Sequence, residues 1–319
     1  PLWIVLLVPA LLVTACFFVI SFGVKESTMQ TGGRLDMGGL VLVSLALIAF
    51  TGGLSLMRLN GPGDLLGWAV ALLGVLLLIP FALVELRQKD PLIDVRMFRS
   101  PALAPVFLTA GLFGVSVLGA QAPLSTFART DPAVYGYGLG TTGFATSLII
   151  GLYLIGMITG ALLFPKFSRW FTPRITLIGA ATLVGIGYLL FLPFHASYAQ
   201  LITNMMIAGI GSGALVAALP AAAASAAPPT QTGVATGLTN SVKTVGGAIA
   251  SAVFGIALMQ GATGAAAGSG GTAGSLSGYF TVWAICGVTA LVAAVLLCFV
   301  PRDAFQDRSA PMAPERTAA

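Results

Sequence analysis

Charge is scarce in this chain: 8% of its 319 residues are Asp, Glu, Lys or Arg, against roughly 25% in a soluble domain. Apolar residues make up 57%, and a mean hydropathy of +0.98 leaves too little polar surface to cover a fold in water. That balance argues against a soluble enzyme, a disordered chain and a nucleic-acid-binding domain. Histidine is nearly absent. The single one, His195, allows neither a His-x-x-x-His metal pair nor a Ser-His-Asp arrangement, and reads as a solvated loop residue. The three cysteines, Cys16, Cys286 and Cys298, all lie in apolar runs. If the last two share a helix they stand about 18 Å apart, too far for a disulfide. Carboxylates are missing from the middle of every apolar run: Glu26, Asp36, Asp64, Glu85, Asp90, Asp94, Asp131, Asp303, Asp307 and Glu315 all fall in connections, helix ends or the tail. No enzyme chemistry, metal or cofactor is expected.

What the chain does have is long apolar runs. A membrane span needs about 20 mostly apolar residues, and such runs lie near 3–22, 37–57, 65–86, 102–128, 139–164, 174–194, 198–223, 232–259 and 277–300. They do not alternate polar with apolar residues as barrel strands would, so an all-α membrane protein of about nine helices is the expected fold class.

The basic residues support this count. Lys25, Arg34, Arg87, Lys89, Arg96, Arg99, Lys166, Arg169, Arg174, Arg302, Arg308 and Arg316 fall on one side of a nine-helix arrangement, and only Arg58 and Arg129 on the other. The side rich in Lys and Arg is the cytoplasmic one, which places the C-terminus in the cytoplasm of a multi-pass protein of the cell membrane. The charges are spread over connections and form no patch for a nucleic acid.

The connections differ in kind. ELRQKDPLIDVRMFRSP, Glu85–Pro101, is the longest charged stretch and reads as a cytoplasmic linker between two membrane modules. Gly261–Gly278 is almost all Gly, Ala, Ser and Thr, which buries no apolar surface and is expected to be a mobile outer loop. The chain opens with Pro1-Leu2-Trp3 inside an apolar run and without an initiator Met, so a piece of a longer protein is expected.

One charge lies deep. Lys243 is eleven residues into its run, about 16 Å from the helix end at 1.5 Å per residue, near the centre of a core about 30 Å thick. An intramembrane cation is by default a functional hypothesis; the alternative is snorkelling towards the headgroups. On the same helix Gly233, Gly237, Asn240, Thr244, Gly247, Ser251 and Gly255 recur at spacings of three and four, a strip of small residues suited to close helix contact. Gly156 with Gly160, and Gly209 with Gly213, form similar pairs. Polar side chains within the spans are Thr109, Ser116, Gln121, Thr203, Asn204 and Asn240, accompanied by Phe107, Phe113 and Tyr153. Each is either interhelical packing or lining for a greasy, sparsely polar substrate cavity. Lys243, Asn240, Asn204, Gln121, Phe113 and Tyr153 are the cavity candidates.

Four passages carry a resemblance to a known family: Asp36-Met37-Gly39 before a span; PLIDVRMFRSP with Pro91, Asp94, Arg96, Phe98 and Arg99; the basic turn from Gly160 to Arg174; and GVATGLTNSVKTVGGAIASA, Gly233–Ala252. Together they resemble the fourteen-helix drug–proton antiporters of the major facilitator superfamily. Lys243 stands where arginine is usual, Ser168 and Thr172 stand where Asp and Gly are usual, and the usual Asn before Pro9 is missing. The resemblance implies that 1–24 is the last helix of an N-terminal bundle, 25–86 a connection and two extra central helices, 87–101 a cytoplasmic linker, 102–300 a C-terminal six-helix bundle of two inverted three-helix repeats, and 301–319 a tail. It also implies alternating access, driven by the proton gradient with no other cofactor. Gly233, Gly237, Gly247, Gly156 and Gly160 would serve packing and conformational change, and Lys166, Arg169 and Arg174 a gating turn on the cytoplasmic face. The partners would be a small amphipathic substrate, protons, the bilayer and an N-terminal bundle lying outside this chain, which would also hold the coupling carboxylate. The rivals are export of a native metabolite, lipid or siderophore, and a non-transporting sensor or inactive truncated product.

Overall fold

The computed structural model describes residues 2–23, 36–61, 63–88, 95–228, 231–259 and 274–299. All its regular elements are helical. Seven spans among the described residues are long and apolar enough to cross a membrane, beginning at Met37, Leu65, Ala104, Gly143, Tyr198, Thr232 and Leu276. Pro173–Leu189 is apolar but shorter; it continues in tight turns, with the Phe194 N–H donating to the Leu190 carbonyl at 2.9 Å. Every expected span thus falls on a helix.

The chain forms two compact units, divided after Asp36. The first contains α1 (Leu2–Gly23), which carries Pro9 and exposes Leu11, Val13, Phe17 and Phe22. Such an all-apolar surface suits lipid or another apolar helix rather than water.

The second unit begins with a hairpin of α2 (Met37–Asn60) and α3 (Leu65–Arg87). Asp64 caps α3 by accepting from the Leu66 N–H at 3.2 Å. The hairpin is tight because small residues meet backbone: a Cβ at Gly53 would strike the Ala71 main chain and one at Gly74 the Phe50 main chain. Its Leu54, Met57 and Ala71 pack on Ala252 of the tenth helix.

The linker is docked where it is described. Val95–Arg99 forms a 3-10 turn with Met97 buried, Phe98 5.1 Å from the Phe107 ring, and Arg96 donating to the Leu86 carbonyl at 3.2 Å. Residues 89–94, and with them Pro91 and Asp94, lie outside the described residues, as do Lys25, Arg34 and the tail.

A helical bundle follows: α4 (Ala104–Leu118) with α5 (Gln121–Arg129), the short α6 (Pro132–Tyr135), α7 (Gly143–Trp170), α8 (Pro173–Leu189), α9 (Tyr198–Ala226), α10 (Thr232–Met259) and α11 (Leu276–Leu297). The run read as one helix over 102–128 is broken at Gly119–Ala120. Pro123 is the cause: it has no N–H for the Gly119 carbonyl four residues back, and its ring crowds that oxygen. The Gly119 N–H reaches back instead to Gly114 at 3.4 Å.

The most extensive helix pairs of the bundle are α7 with α9, α4 with α10, α8 with α11 and α8 with α9, followed by α4 with α11. Exchanging α4 with α9, α7 with α10 and α8 with α11 turns the α4–α10 pair into α7–α9 and the α4–α11 pair into α8–α9. Polar glue joins them in the core. The Ser116 hydroxyl donates to the Cys286 carbonyl at 2.9 Å and lies 2.8 Å from the Thr289 hydroxyl, tying α4 to α11. Such a bond in lipid contributes about 0.6 kcal/mol on average.

The two ends of the bundle are defined by contacts between distant connections. At one end, where α8 starts and α11 finishes, the Arg174 guanidinium donates to the carbonyls of Leu297, at 3.2 Å, and Cys298. At the other, the Tyr137 hydroxyl donates to the Gly274 carbonyl and the Tyr198 hydroxyl to the Ala145 carbonyl at 2.8 Å. Phe127 of α5 meets the Tyr279 and Trp283 rings edge to face, so α5 finishes at this second end and α4 begins at the first. Arg96, Arg99, Lys166, Arg169 and Arg174 therefore share one end, and Arg129 lies at the other, as the charge count required.

Candidate functional site

The feature that sets α10 apart is an open polar face in the middle of a membrane helix. Asn240 and Thr244 are exposed and Lys243 is half-buried. The Lys243 ammonium donates to the Asn240 Oδ1 at 2.8 Å, and no carboxylate among the described residues pairs with it. Phe113, Thr239 and Pro220 line the crevice beside it. That crevice measures about 10 Å³, room for about one water and not for a drug-sized molecule. The site is thus one wall and not a closed pocket.

The other cavity candidates do not gather here. Asn204 is buried, and its amide donates to the Phe194 carbonyl at 2.7 Å; it closes the turn between α8 and α9. Tyr153 is a core residue on α7, and Phe107 likewise on α4. The Tyr153 hydroxyl faces Ser212, whose own hydroxyl donates to the Ala208 carbonyl at 2.7 Å. Thr109 and Ser116 are buried between helices, and Thr203 bonds its own helix at the Ala199 carbonyl, 2.9 Å away. Gln121 is exposed at the start of α5, beside the break that Pro123 imposes. The sequence reading missed the break, although that single proline signals it.

The small-residue strip is half contact and half open. Gly247 meets Leu118, a Cβ there falling 2.5 Å from the Leu118 Cβ, whereas a Cβ at Gly233 or Gly237 would meet nothing within 4 Å. Among the described residues these two meet no other helix and continue the open face beside Asn240. Gly156 and Gly160 are contacts. A Cβ at Gly156 would lie 3.1 Å from the Met206 carbonyl, and one at Gly160 would strike the Ile210 carbonyl. Gly209 and Gly213 face back onto Tyr153 and Met157, so the two glycine pairs are the two halves of the α7–α9 interface.

The basic turn is shorter than its motif. α7 continues through Pro165 to Trp170, so Lys166 and Arg169 lie on helix and the reversal is made by Phe171 and Thr172 alone. Thr172 stops the turn by accepting from the Ile175 N–H at 3.3 Å, with Pro173 at the first helical position. Ser168, at the other departure from the motif, has its hydroxyl buried without a hydrogen-bond partner among the described residues. The Lys166 ammonium sits 5.3 Å above the Trp170 ring.

His195 is not solvated as read. Its half-buried ring lies 4.9 Å from Phe280 and 6.2 Å from Phe127, and Nδ1 donates to the Leu192 carbonyl at 3.1 Å. It closes an aromatic cluster with Tyr279 and Trp283. Nearby Tyr137 has its phenol pKa raised, by burial first and then by Tyr279 and Tyr135. The Gly261–Gly278 loop lies outside the described residues except at its end, where Ser275 caps α11 by accepting from the Gly278 N–H at 3.0 Å. Among the described residues no three His, Cys, Asp or Glu side chains cluster as metal ligands would.

A family model of the Major Facilitator Superfamily matches residues 65–251 and 139–318. The chain belongs to the Major Facilitator Superfamily. Membership makes it a multi-pass membrane protein of a transporter family rather than of an enzyme family. This superfamily chain is 28% identical to the puromycin resistance protein pur8 of Streptomyces alboniger, over 89% of its own length and 58% of that protein's. It is 28% identical to the cephamycin export protein CmcT of Amycolatopsis lactamdurans, over 77% of this chain and 49% of that one. With the tetracenomycin C resistance and export protein of Streptomyces glaucescens the identity is 28%, over 69% of this chain and 40% of that one. The chain thus spans about half the length of these relatives.

Proposed function

We propose that this chain is the C-terminal part of a proton-driven exporter of small amphipathic molecules, working by alternating access. The observation that carries the reading is the open face of α10: Asn240 and Thr244, with Gly233 and Gly237, are exposed among the described residues, and Lys243 is half-buried beside them. A polar, cationic face at that depth is costly against lipid and fits a water-lined cavity. The opposite wall would come from an N-terminal bundle outside this chain, which is consistent with longer relatives of which the chain spans about half.

In this reading α4–α8 and α9–α11 are the two inverted repeats, whose exchange-related helix pairs suit rigid-body rocking. The glycine contacts of α7 on α9 would keep one repeat rigid against the other. The linker at 87–101 divides the central helices from this bundle, and the basic turn of Lys166, Arg169 and Arg174 faces the cytoplasm with the C-terminus, at the cell membrane, by the positive-inside rule. The proton gradient is the energy source. Its coupling carboxylate lies in the partner bundle, since among the described residues the intramembrane helices carry no acid nearer their centres than Glu85, in the last turn of α3.

The test is transport by the full-length protein in everted membrane vesicles, comparing the parent with Lys243→Met. Removing a charged hydrogen-bonding group from the substrate's path costs about 1.5–3 kcal/mol, so proton-driven uptake into everted vesicles falls roughly tenfold or more while expression and melting temperature hold. Unchanged transport removes α10 from the pathway.

A further inference from the structure

A second apolar hollow on the bundle lies away from the α10 face. It is a groove of about 300 Å³ between α7, α8 and α9, at the end that carries the basic turn. Its walls are Leu163, Phe164 and Phe167 from α7, and Ile175 and Leu183 from α8. The floor is made by glycines that let backbones meet: a Cβ at Gly160 would strike the Ile210 carbonyl, and one at Gly211 the Ala180 carbonyl. Gly179 lines the same groove, yet a Cβ there would meet nothing within 4 Å. The one hydroxyl in the lining, that of Thr176, donates to the Thr172 carbonyl at 3.1 Å. The interior therefore offers no free side-chain donor, and a strongly polar ligand would lose most of its hydration there without replacement.

The mouth is different. Lys166, Arg169 and Trp170 are exposed on the last turns of α7, next to the lining residues Phe167 and Phe171. From Gly160 to Gly179 the sequence has three basic residues and no acid. Arg174 is engaged with the α11 carbonyls, which leaves Lys166 and Arg169 to face outward. An exposed Trp beside two cations marks the level of the headgroups. An apolar slot continued upward by uncompensated positive charge matches one molecule in two parts, an acyl chain and an anionic phosphate.

We propose that this groove is a binding site for an anionic phospholipid, one acyl chain lying over Gly160, Gly179 and Gly211 and the headgroup phosphate on Lys166 and Arg169. Free phosphate would use the mouth alone. The lipid uses both, and so favours the anionic headgroup over a zwitterionic one with the same tails.

Trp170 reports the site, because it stands at the mouth and is 69% exposed. The experiment places the full-length protein in nanodiscs containing a minor fraction of lipid with brominated acyl chains, which quench nearby tryptophan. The bromolipid is phosphatidylglycerol in one arm and phosphatidylcholine in the other, and the signal lost in Trp170→Phe isolates this residue. The brominated phosphatidylglycerol should quench Trp170 at roughly tenfold lower mole fraction than the phosphatidylcholine. Lys166→Gln with Arg169→Gln should abolish the preference. Gly179→Leu fills the slot with the charges intact and should abolish it too. All these positions are exposed, so the variants should fold, and retained melting temperature checks it. Equal quenching by the two lipids overturns the site. A preference that survives Gly179→Leu overturns it as well, reducing it to surface charge. No quenching by either lipid means that protein covers the groove.

Discussion

Gly114 of α4 lies against the main-chain carbonyl of Lys243 on α10, so closely that a Cβ at 114 would strike that oxygen. The backbone of the one intramembrane lysine among the described residues is thus clamped from the packed side, while its ammonium turns to Asn240 on the open side. A similar contact one turn away has Gly246 against the Gly111 carbonyl. Position in the bilayer and direction of the charge are both set by how closely two helices approach.

That clamp gives opposite signs to two similar substitutions. Gly114→Ala forces α4 from α10 and should destabilise by about 1–3 kcal/mol, the usual cost of overpacking, outweighing a gain of up to about 1 kcal/mol in helix propensity. Gly237→Ala has free space and only the gain. Thermal unfolding in one detergent should show a lower melting temperature for the first and an unchanged or higher one for the second. Equal melting temperatures would disprove the close approach.

The break between α4 and α5 rests on one proline. Pro123→Ala restores an N–H for the Gly119 carbonyl and removes the ring that crowds it, so 104–129 should straighten. Spin labels at the exposed positions Leu108 and Arg129 would then approach the spacing of a continuous helix, about 32 Å between backbones. The parent should read shorter. An identical distance distribution in both would shift the cause from Pro123 to the packing of Gly119 on Ala250.

Arg174 holds the end of α11 from the start of α8. Its two bonds go to carbonyls that have no helical partner, those of Leu297 and Cys298. Arg174→Gln should release them at a cost of about 1.5 kcal/mol, the lower end for a charged donor because the group is partly exposed. Amide hydrogen exchange should rise in the last turn of α11 with the middle of the helix unaffected. Lys should rescue only in part, lacking the planar fork that reaches two acceptors.

The spans and their polarity were legible because apolar runs of this length have few alternatives in a bilayer. So were the glycine pairs Gly156–Gly160 and Gly209–Gly213, since spacing of four puts both members on one face. What spacing does not tell is which helix a face meets. The strip on α10 looked uniform from Gly233 to Gly255, yet Gly233 and Gly237 are open and Gly247 is packed, a difference decided by Leu118 on another helix. Gly111 and Gly114 went unnoticed because their partner is a backbone, which no side-chain pattern announces. The surroundings of Asn204 and His195 were not legible for the same reason: they are a turn carbonyl and an aromatic cluster assembled from distant segments.

The arrangement of the two ends carries the sharpest test. With Cys16 and Cys298 replaced by Ser, single cysteines at Arg96 and Arg169 should react with a membrane-impermeant maleimide from the same face of intact cells or everted vesicles, and one at Arg129 from the opposite face. The remaining native thiol, Cys286, is fully buried between α11 and α4, beside the Ser116 bond, and should stay unlabelled until the protein is denatured. Labelling of positions 96 and 169 from opposite faces cannot be reconciled with the route of the chain through α4, α5 and α7. It would remove with it the shared end on which the basic turn, the Arg174 contact and the lipid groove all depend.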